Sequence, residues 1–181
     1  MRLGVGDEML SAGVERVRAA GHDRIGELYL GHADSAARLA YLLTGDRDLA
    51  EDLVQDAFVR LAGRLVHLRD PNAFEAYLRK TVVNLANSYF RRRRIERAYE
   101  MRLRQTRPDV VHGGGIEDRE ALARALRDLP SRQRTAIVLR FYEDLSEAQT
   151  AEIIGCRPGT VKSLVSRGLD ALRIKIGSEE R

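Results

Sequence analysis

What most limits the fold of this chain is a helical spacing of apolar residues. It holds from Asp23 nearly to the C-terminus and fails in one place. The stretch RIGELYLGHADSAARLAYLLTG puts Leu28, Ala36, Leu39, Ala40 and Leu43 on one face, and Gly45 follows as a stop. DRDLAEDLVQDAFVRLAGRL repeats the pattern with Leu49, Leu53, Ala57, Phe58, Leu61 and Leu65. LRDPNAF then breaks the chain, and Asp70-Pro71-Asn72 reads as a turn. A long helix is expected from about Ala73 to Arg97, with Phe74, Tyr77, Leu78, Thr81, Val82, Leu85 and Tyr89 as its stripe. The failure is RQTRPDVVHGGGIED, Arg104 to Asp118, where Pro108 and three consecutive glycines remove all periodicity. Such a segment reads as a flexible linker. Four further helical patterns follow, and no segment alternates as a strand would.

The expected architecture is therefore all-α. Two small helical domains, an N-terminal helical bundle and a C-terminal four-helix domain, are joined by the linker. The divisions are a weak amphipathic extension over 1–22, a first domain over 23–100, a linker over 101–118 and a second domain over 119–177. An apolar content of 44% supports a packed core, and the absence of Trp suits small units filled by Leu, Ala and Val. The lone cysteine, Cys156, excludes an intramolecular disulfide and fits a reducing cytoplasm. In its turn Cys156 reads as a small packed residue or as a redox-sensitive thiol. No apolar run approaches the roughly 18 residues that a spanning helix needs, so no membrane insertion is expected. The N-terminus carries too many charges to be a secretion signal.

The C-terminal segment GCRPGTVKSLVSRGLDALR carries a DNA-binding pattern. Ser146 and Gln149 are spaced as a capping box ahead of AEIIG, Gly155 is a stop, and Pro158 suits the first position of the next helix. Ser146–Ile154, a turn at Gly155–Arg157 and Pro158–Lys175 make a helix-turn-helix. The inward stripe of the second helix is Val161, Leu164 or Val165, Gly168, Leu169 and Leu172. Its outward face near the N-terminus offers Thr160, Lys162, Ser163, Ser166 and Arg167 with no acid among them. Short hydroxyls allow close approach to base edges, and cations neutralise phosphate. A solvated face would be expected to mix in Glu, yet the next acid is Asp170.

The N-terminal domain is split by charge. Asp46 to Asp56 carries five acids against Arg47, whereas Arg79 to Arg97 carries seven bases against Glu96. The RRRR run at 91–94 either caps a helix C-terminus or contacts nucleic acid. The same helix presents Asn84, Asn87 and Ser88, with Tyr77, Tyr89 and Phe90 nearby. Amides, hydroxyls, rings and Arg together suit unpaired bases as well as backbone. The acidic helix would repel phosphate and calls for a basic protein partner, or else is simply solvated. Arg outnumbers Lys 28 to 3; phosphate pairing or a GC-rich genome would each give that bias. The four histidines are scattered, and no Gly-rich phosphate loop, nucleophile elbow or metal spacing occurs, so neither catalysis nor a cofactor is expected.

Three stretches, LAYLLTGDRDLAEDLVQDAFVRL, YLRKTVVNLANSYFRRRR and LPSRQRTAIVLRFYEDLSEAQTAEIIGCRPGTVKSLVSRGLDALR, resemble in order and spacing the extracytoplasmic-function (group IV) sigma factors. These are two-domain sigma subunits of RNA polymerase in the sigma-70 family, and the resemblance covers about Ile25 to Arg173. It implies a subunit without catalysis of its own that binds core polymerase and directs promoter-specific initiation. Asp52, Gln55 and Asp56 match the positions that dock on the coiled coil of the largest polymerase subunit, and the second domain would meet the flap. The long helix would recognise and open the minus-ten element, Asn84 matching the family's asparagine, with Arg79, Lys80, Asn87, Ser88, Arg91 and Arg92 on DNA. The HLRDPNAF loop lies where such proteins trap a flipped-out base. Arg157, Thr160, Lys162, Ser163, Ser166 and Arg167 would read the minus-thirty-five element. Promoter DNA, core polymerase and an anti-sigma protein are the implied partners, with the linker giving the two domains separate mobility. The sequence departs from the family at Arg157, where a serine cap is common, at Leu164, often basic, and at Ser88, often acidic. The competing readings are a stand-alone helix-turn-helix regulator and a helical enzyme or adaptor.

Overall fold

The computed structural model describes the backbone of residues 5–62, 71–103 and 117–179, and the side chains of 24–62, 73–96 and 122–174. Among the described residues seven α-helices follow one another: α1 (Val5–Thr44), α2 (Arg47–Ala62), α3 (Pro71–Leu103), α4 (Glu117–Arg127), α5 (Ser131–Ile137), α6 (Glu147–Ile154) and α7 (Pro158–Glu179). α5 continues into a π-helical turn, Val138–Tyr142. No strand occurs among the described residues.

The first domain packs α1, α2 and α3 around the expected stripes. Ala36, Leu39, Ala40 and Leu43 of α1 meet Leu53, Ala57, Phe58 and Leu61 of α2 and Phe74, Leu78, Val82 and Leu85 of α3, all buried. Rings cross the three-helix seam, with Phe58 lying 4.9 Å from Tyr29 and 5.8 Å from Phe74 between centroids. The corner between α1 and α2 is made locally. Gly45 takes a left-handed φ of 68°, and the Asp46 carboxylate accepts from the Leu49 N–H at 3.1 Å as an N-cap.

Three local expectations change. Pro71 and Asn72 are not a turn but the first residues of α3, where proline's missing N–H is harmless. α3 runs on to Leu103, and α1 begins at Val5, so the N-terminal extension and first domain share one continuous helix at the backbone level. Tyr77, expected inside, is 49% exposed, while Val83 and Ala86 are buried. The HLRDPNAF loop up to Asp70, Leu65, and 104–116 of the linker lie outside the described residues.

The second domain folds α4 to α7 around Ala123, Leu126, Ala136, Val138, Leu139, Val161 and Leu172. It does not stand apart from the first domain. Leu126, Leu129, Ile137, Val138 and Leu139 belong to the same apolar cluster as Leu43 and Leu85. α4 lies against α1, and α5 and α6 lie against α3.

Candidate nucleic-acid interface

The helix-turn-helix forms as its spacing requires. Both halves of the capping box are made: the Gln149 N–H donates to Ser146 Oγ at 3.2 Å, and the Ser146 N–H donates to Gln149 Oε1 at 2.9 Å. Gly155 closes α6 in a left-handed conformation, φ 70° and ψ 53°. Its N–H and that of Cys156 both donate to the Ala151 carbonyl, at 2.9 and 3.0 Å. Pro158 opens α7.

Gly168 fixes how α7 lies, because a Cβ there would come within 2.5 Å of Ile137 Cδ1. Val161 and Leu172 are buried on the same face. Leu164 and Val165, alternatives for the inward position, are both half-buried. Arg157, Thr160, Lys162, Ser163, Ser166 and Arg167 are all exposed on the opposite side. The Ser163 hydroxyl donates back to the Gly159 carbonyl at 3.1 Å, so it lies close to the helix and leaves room for an approaching groove.

On α2, Asp52, Gln55 and Asp56 are exposed while Leu53, Val54, Ala57 and Phe58 face the core. Residues three and four apart share a helix face, so the three form one stripe. The sequence reading missed its continuation: Val59, 75% exposed, stands one turn beyond Gln55 and Asp56.

On α3, Lys80, Asn84, Asn87, Ser88 and Arg91 recur at three- and four-residue steps and so share a side. Asn84, Arg91 and Arg92 are exposed. Arg93 donates to the Tyr89 hydroxyl at 2.8 Å and lies over its ring, which in turn meets Phe90 edge-on at 5.4 Å. Arg79, Lys80 and Asn87 are engaged by the second domain. Arg79 pairs with Glu143 and with Glu75, the latter at 2.8 Å. Lys80 pairs with Glu152 at 3.0 Å, and the Thr135 hydroxyl donates to Asn87 Oδ1 at 3.2 Å.

One cation is buried at the domain contact. Arg134 is only 5% exposed. It donates to the Leu43 carbonyl at the end of α1, and to the Arg127 and Leu129 carbonyls at 3.0 and 3.2 Å, with its guanidinium 4.9 Å from the Phe90 ring centroid. Burial, and then the neighbouring Arg127, lower its pKa to about 10. It stays charged at neutral pH, so the carbonyl fork is charge-assisted.

Comparison with known proteins agrees with this layout. Residues 28–95, essentially the first domain, match Sigma-70 region 2, and residues 119–172, the second, match Sigma-70, region 4. The RNA polymerase sigma-E factor of Streptomyces avermitilis is 35% identical over 150 residues, covering 81% of this chain and 82% of its own length. The sigma-E factor of Streptomyces coelicolor is 34% identical over 77% of this chain and 78% of its own. Among solved structures, the sigma factor RpoE of Bartonella quintana, crystallised with the anti-sigma factor NepR, superposes with a TM-score of 0.67 at 27% identity, covering 84% of this chain and 96% of that one. Two helical domains in this order, with relatives matched along most of both chains, establish that the protein belongs to the extracytoplasmic-function sigma factors of the sigma-70 family.

Proposed function

We infer that this sigma factor engages core RNA polymerase through the α2 stripe and promoter DNA through α3 and α7. Directing initiation at promoters is what the family does; the assignment of residues is our reading. Asp52, Gln55 and Asp56, flanked by Val59, dock on a basic surface, the coiled coil of the largest polymerase subunit. Lys80, Asn84, Asn87, Ser88, Arg91 and Arg92 on α3, with Arg79 beside them, hold the minus-ten element. Arg157, Thr160, Lys162, Ser163, Ser166 and Arg167 on and before α7 hold the minus-thirty-five element, and the second domain meets the polymerase flap.

The observation that carries the reading is the segregation of charge within one small domain. An exposed acidic face on α2 cannot share a ligand with the cationic side of α3, so one faces protein and the other faces phosphate. On this reading catalysis belongs to the polymerase, the chain adds none, and its work lies in the cytoplasm beside that enzyme. An anti-sigma protein is a further partner on this reading, supported by the RpoE relative that was crystallised with one.

The test is binding to core polymerase. The double substitution D52R/D56R should weaken it at least tenfold, the effect of about 1.4 kcal/mol, and should silence reconstituted transcription over a genomic promoter library. Unchanged binding would remove the docking surface from α2. Tight, sequence-specific DNA binding by the chain without polymerase would instead favour a stand-alone regulator.

A further inference from the structure

We propose that Glu143 and Glu152 of the second domain act as internal stand-ins for DNA phosphate, holding Arg79 and Lys80 of α3 until nucleic acid displaces them. The proposal rests on the assignment of α3 to DNA made above. Its observations are separate. Of the α3 residues assigned to DNA, Arg79, Lys80 and Asn87 each meet a polar side chain of the second domain: Glu143, Glu152 and Thr135. A carboxylate offers what a phosphate offers, an anionic oxygen acceptor.

Glu143 is also held in place. The π-helical turn Val138–Tyr142 ends at Glu143, whose N–H donates to the Val138 carbonyl at 3.1 Å. Asp144 turns the chain with φ 48°, and the Leu145 N–H returns to the Leu139 carbonyl at 3.0 Å. Arg140 donates to the Leu145 carbonyl across the corner. An ordinary helix end would send the chain elsewhere; the widened turn aims Glu143 at α3. The two pairs differ in strength. Arg79 and Glu143 are 17% and 13% exposed and so little screened, whereas Lys80 and Glu152, at 41% and 75%, are within reach of salt. Glu143 therefore carries most of the hold.

The full-length E143Q/E152Q chain should bind a fluorescein-labelled random-sequence single-stranded DNA 20-mer about tenfold more tightly than the parent, since a shielded ion-paired competitor is gone. A charge-matched control, D144N/E147Q, removes the same two charges from exposed sites and should change affinity less than about twofold. Adding R79A/K80A to the E143Q/E152Q chain should abolish the gain. A second measurement reads the pair without DNA: urea unfolding of R79Q, E143Q and their double mutant should show the two sites coupled by about threefold or more in the folding constant. No coupling overturns the proposal, as does an equal affinity gain in the control. Coupling with no gain in DNA binding overturns it differently, by showing that Arg79 and Lys80 do not hold DNA and that the α3 assignment fails.

Discussion

Arg134 gives the sharpest test of how the two domains are held. The perturbation is Arg134→Met, which keeps an unbranched apolar stem beside Phe90 and removes every donor. Three carbonyls lose a charge-assisted bond, those of Leu43, Arg127 and Leu129. Such bonds contribute about 1.5–3 kcal/mol each, and a desolvated cation over a ring adds up to about 2. Against this stands the burial of the charge. The fall of its pKa to about 10 corresponds to about 3 kcal/mol, and Nε is buried without a partner among the described residues. The balance favours Arg by about 2–8 kcal/mol, and one of the three bonds lost, that at Leu43, crosses between the domains.

The sign of the pH dependence follows from the same shift. The folded pKa lies below the unfolded one, so the unfolded chain binds more protons between them, and stability from this group rises as pH climbs through that window. Below about 10 both states are protonated, and the difference between parent and variant should be flat from about pH 6 to 9. Urea unfolding of the full chain at neutral pH reads the loss. A variant within about 0.5 kcal/mol of the parent, or one more stable, would mean that desolvation cancels the fork. Arg134 could not then be a clamp.

Other outcomes follow from single contacts. Gly168→Ala sets a methyl against the buried Ile137 side chain, where overpacking of about 1–3 kcal/mol outweighs the roughly 1 kcal/mol that Ala gains in a helix; a rise in melting temperature would refute this account of how α7 lies on α5. Ser146→Ala removes the hydroxyl half of the capping box, the acceptor of the Gln149 N–H, and should destabilise by about 1 kcal/mol, with faster amide exchange confined to the first turn of α6; unaltered exchange there would show that the cap is not limiting.

How much of this was legible in the sequence depends on how far apart the partners lie. Ser146 with Gln149, Gly155 and Pro158 are local devices, and each does what its spacing says. The stripes of α1 and α2 are equally legible, since their expected apolar residues from Ala36 to Leu43 and from Leu53 to Leu61 are all buried. α3 is harder because it is covered from two sides, by α1 and α2 on one and by α5 and α6 on the other. Its buried arc widens to take in Val83 and Ala86, and a one-face stripe misplaces Tyr77. Pro71 follows Asp70 as a turn would, but proline at the first helical position reads the same way in sequence.

The domain contact left no periodic trace. Arg134 and Leu43 are 91 residues apart, Lys80 and Glu152 72, and Arg79 and Glu143 64. Arg134 reads as one more cation in PSRQRTAIVLRFYED, and only the corner where α1 ends tells it from a solvated one. The π-helical turn is similarly hidden, since VLRFY has nothing that α-helical spacing would reject.

The domain contact has two parts that respond to different ligands. Its polar part, Arg79 with Glu143, Lys80 with Glu152 and Asn87 with Thr135, is exchangeable: a phosphate can take the place of a carboxylate with little change in the bonds of the cation. Its apolar part, where Leu126, Leu129 and Ile137 share one cluster with the first domain, is not, because DNA offers no surface that would keep those side chains from water. Nor does salt help, since it screens the exposed pair and strengthens rather than weakens burial. Nucleic acid alone can therefore loosen the grip on α3 without parting the domains. Parting them takes a protein surface that covers what is uncovered, and on the proposed reading, in which both domains engage the polymerase, that enzyme would supply it. On this view the chain binds promoter DNA weakly when free for two separable reasons. E143Q/E152Q relieves only the first.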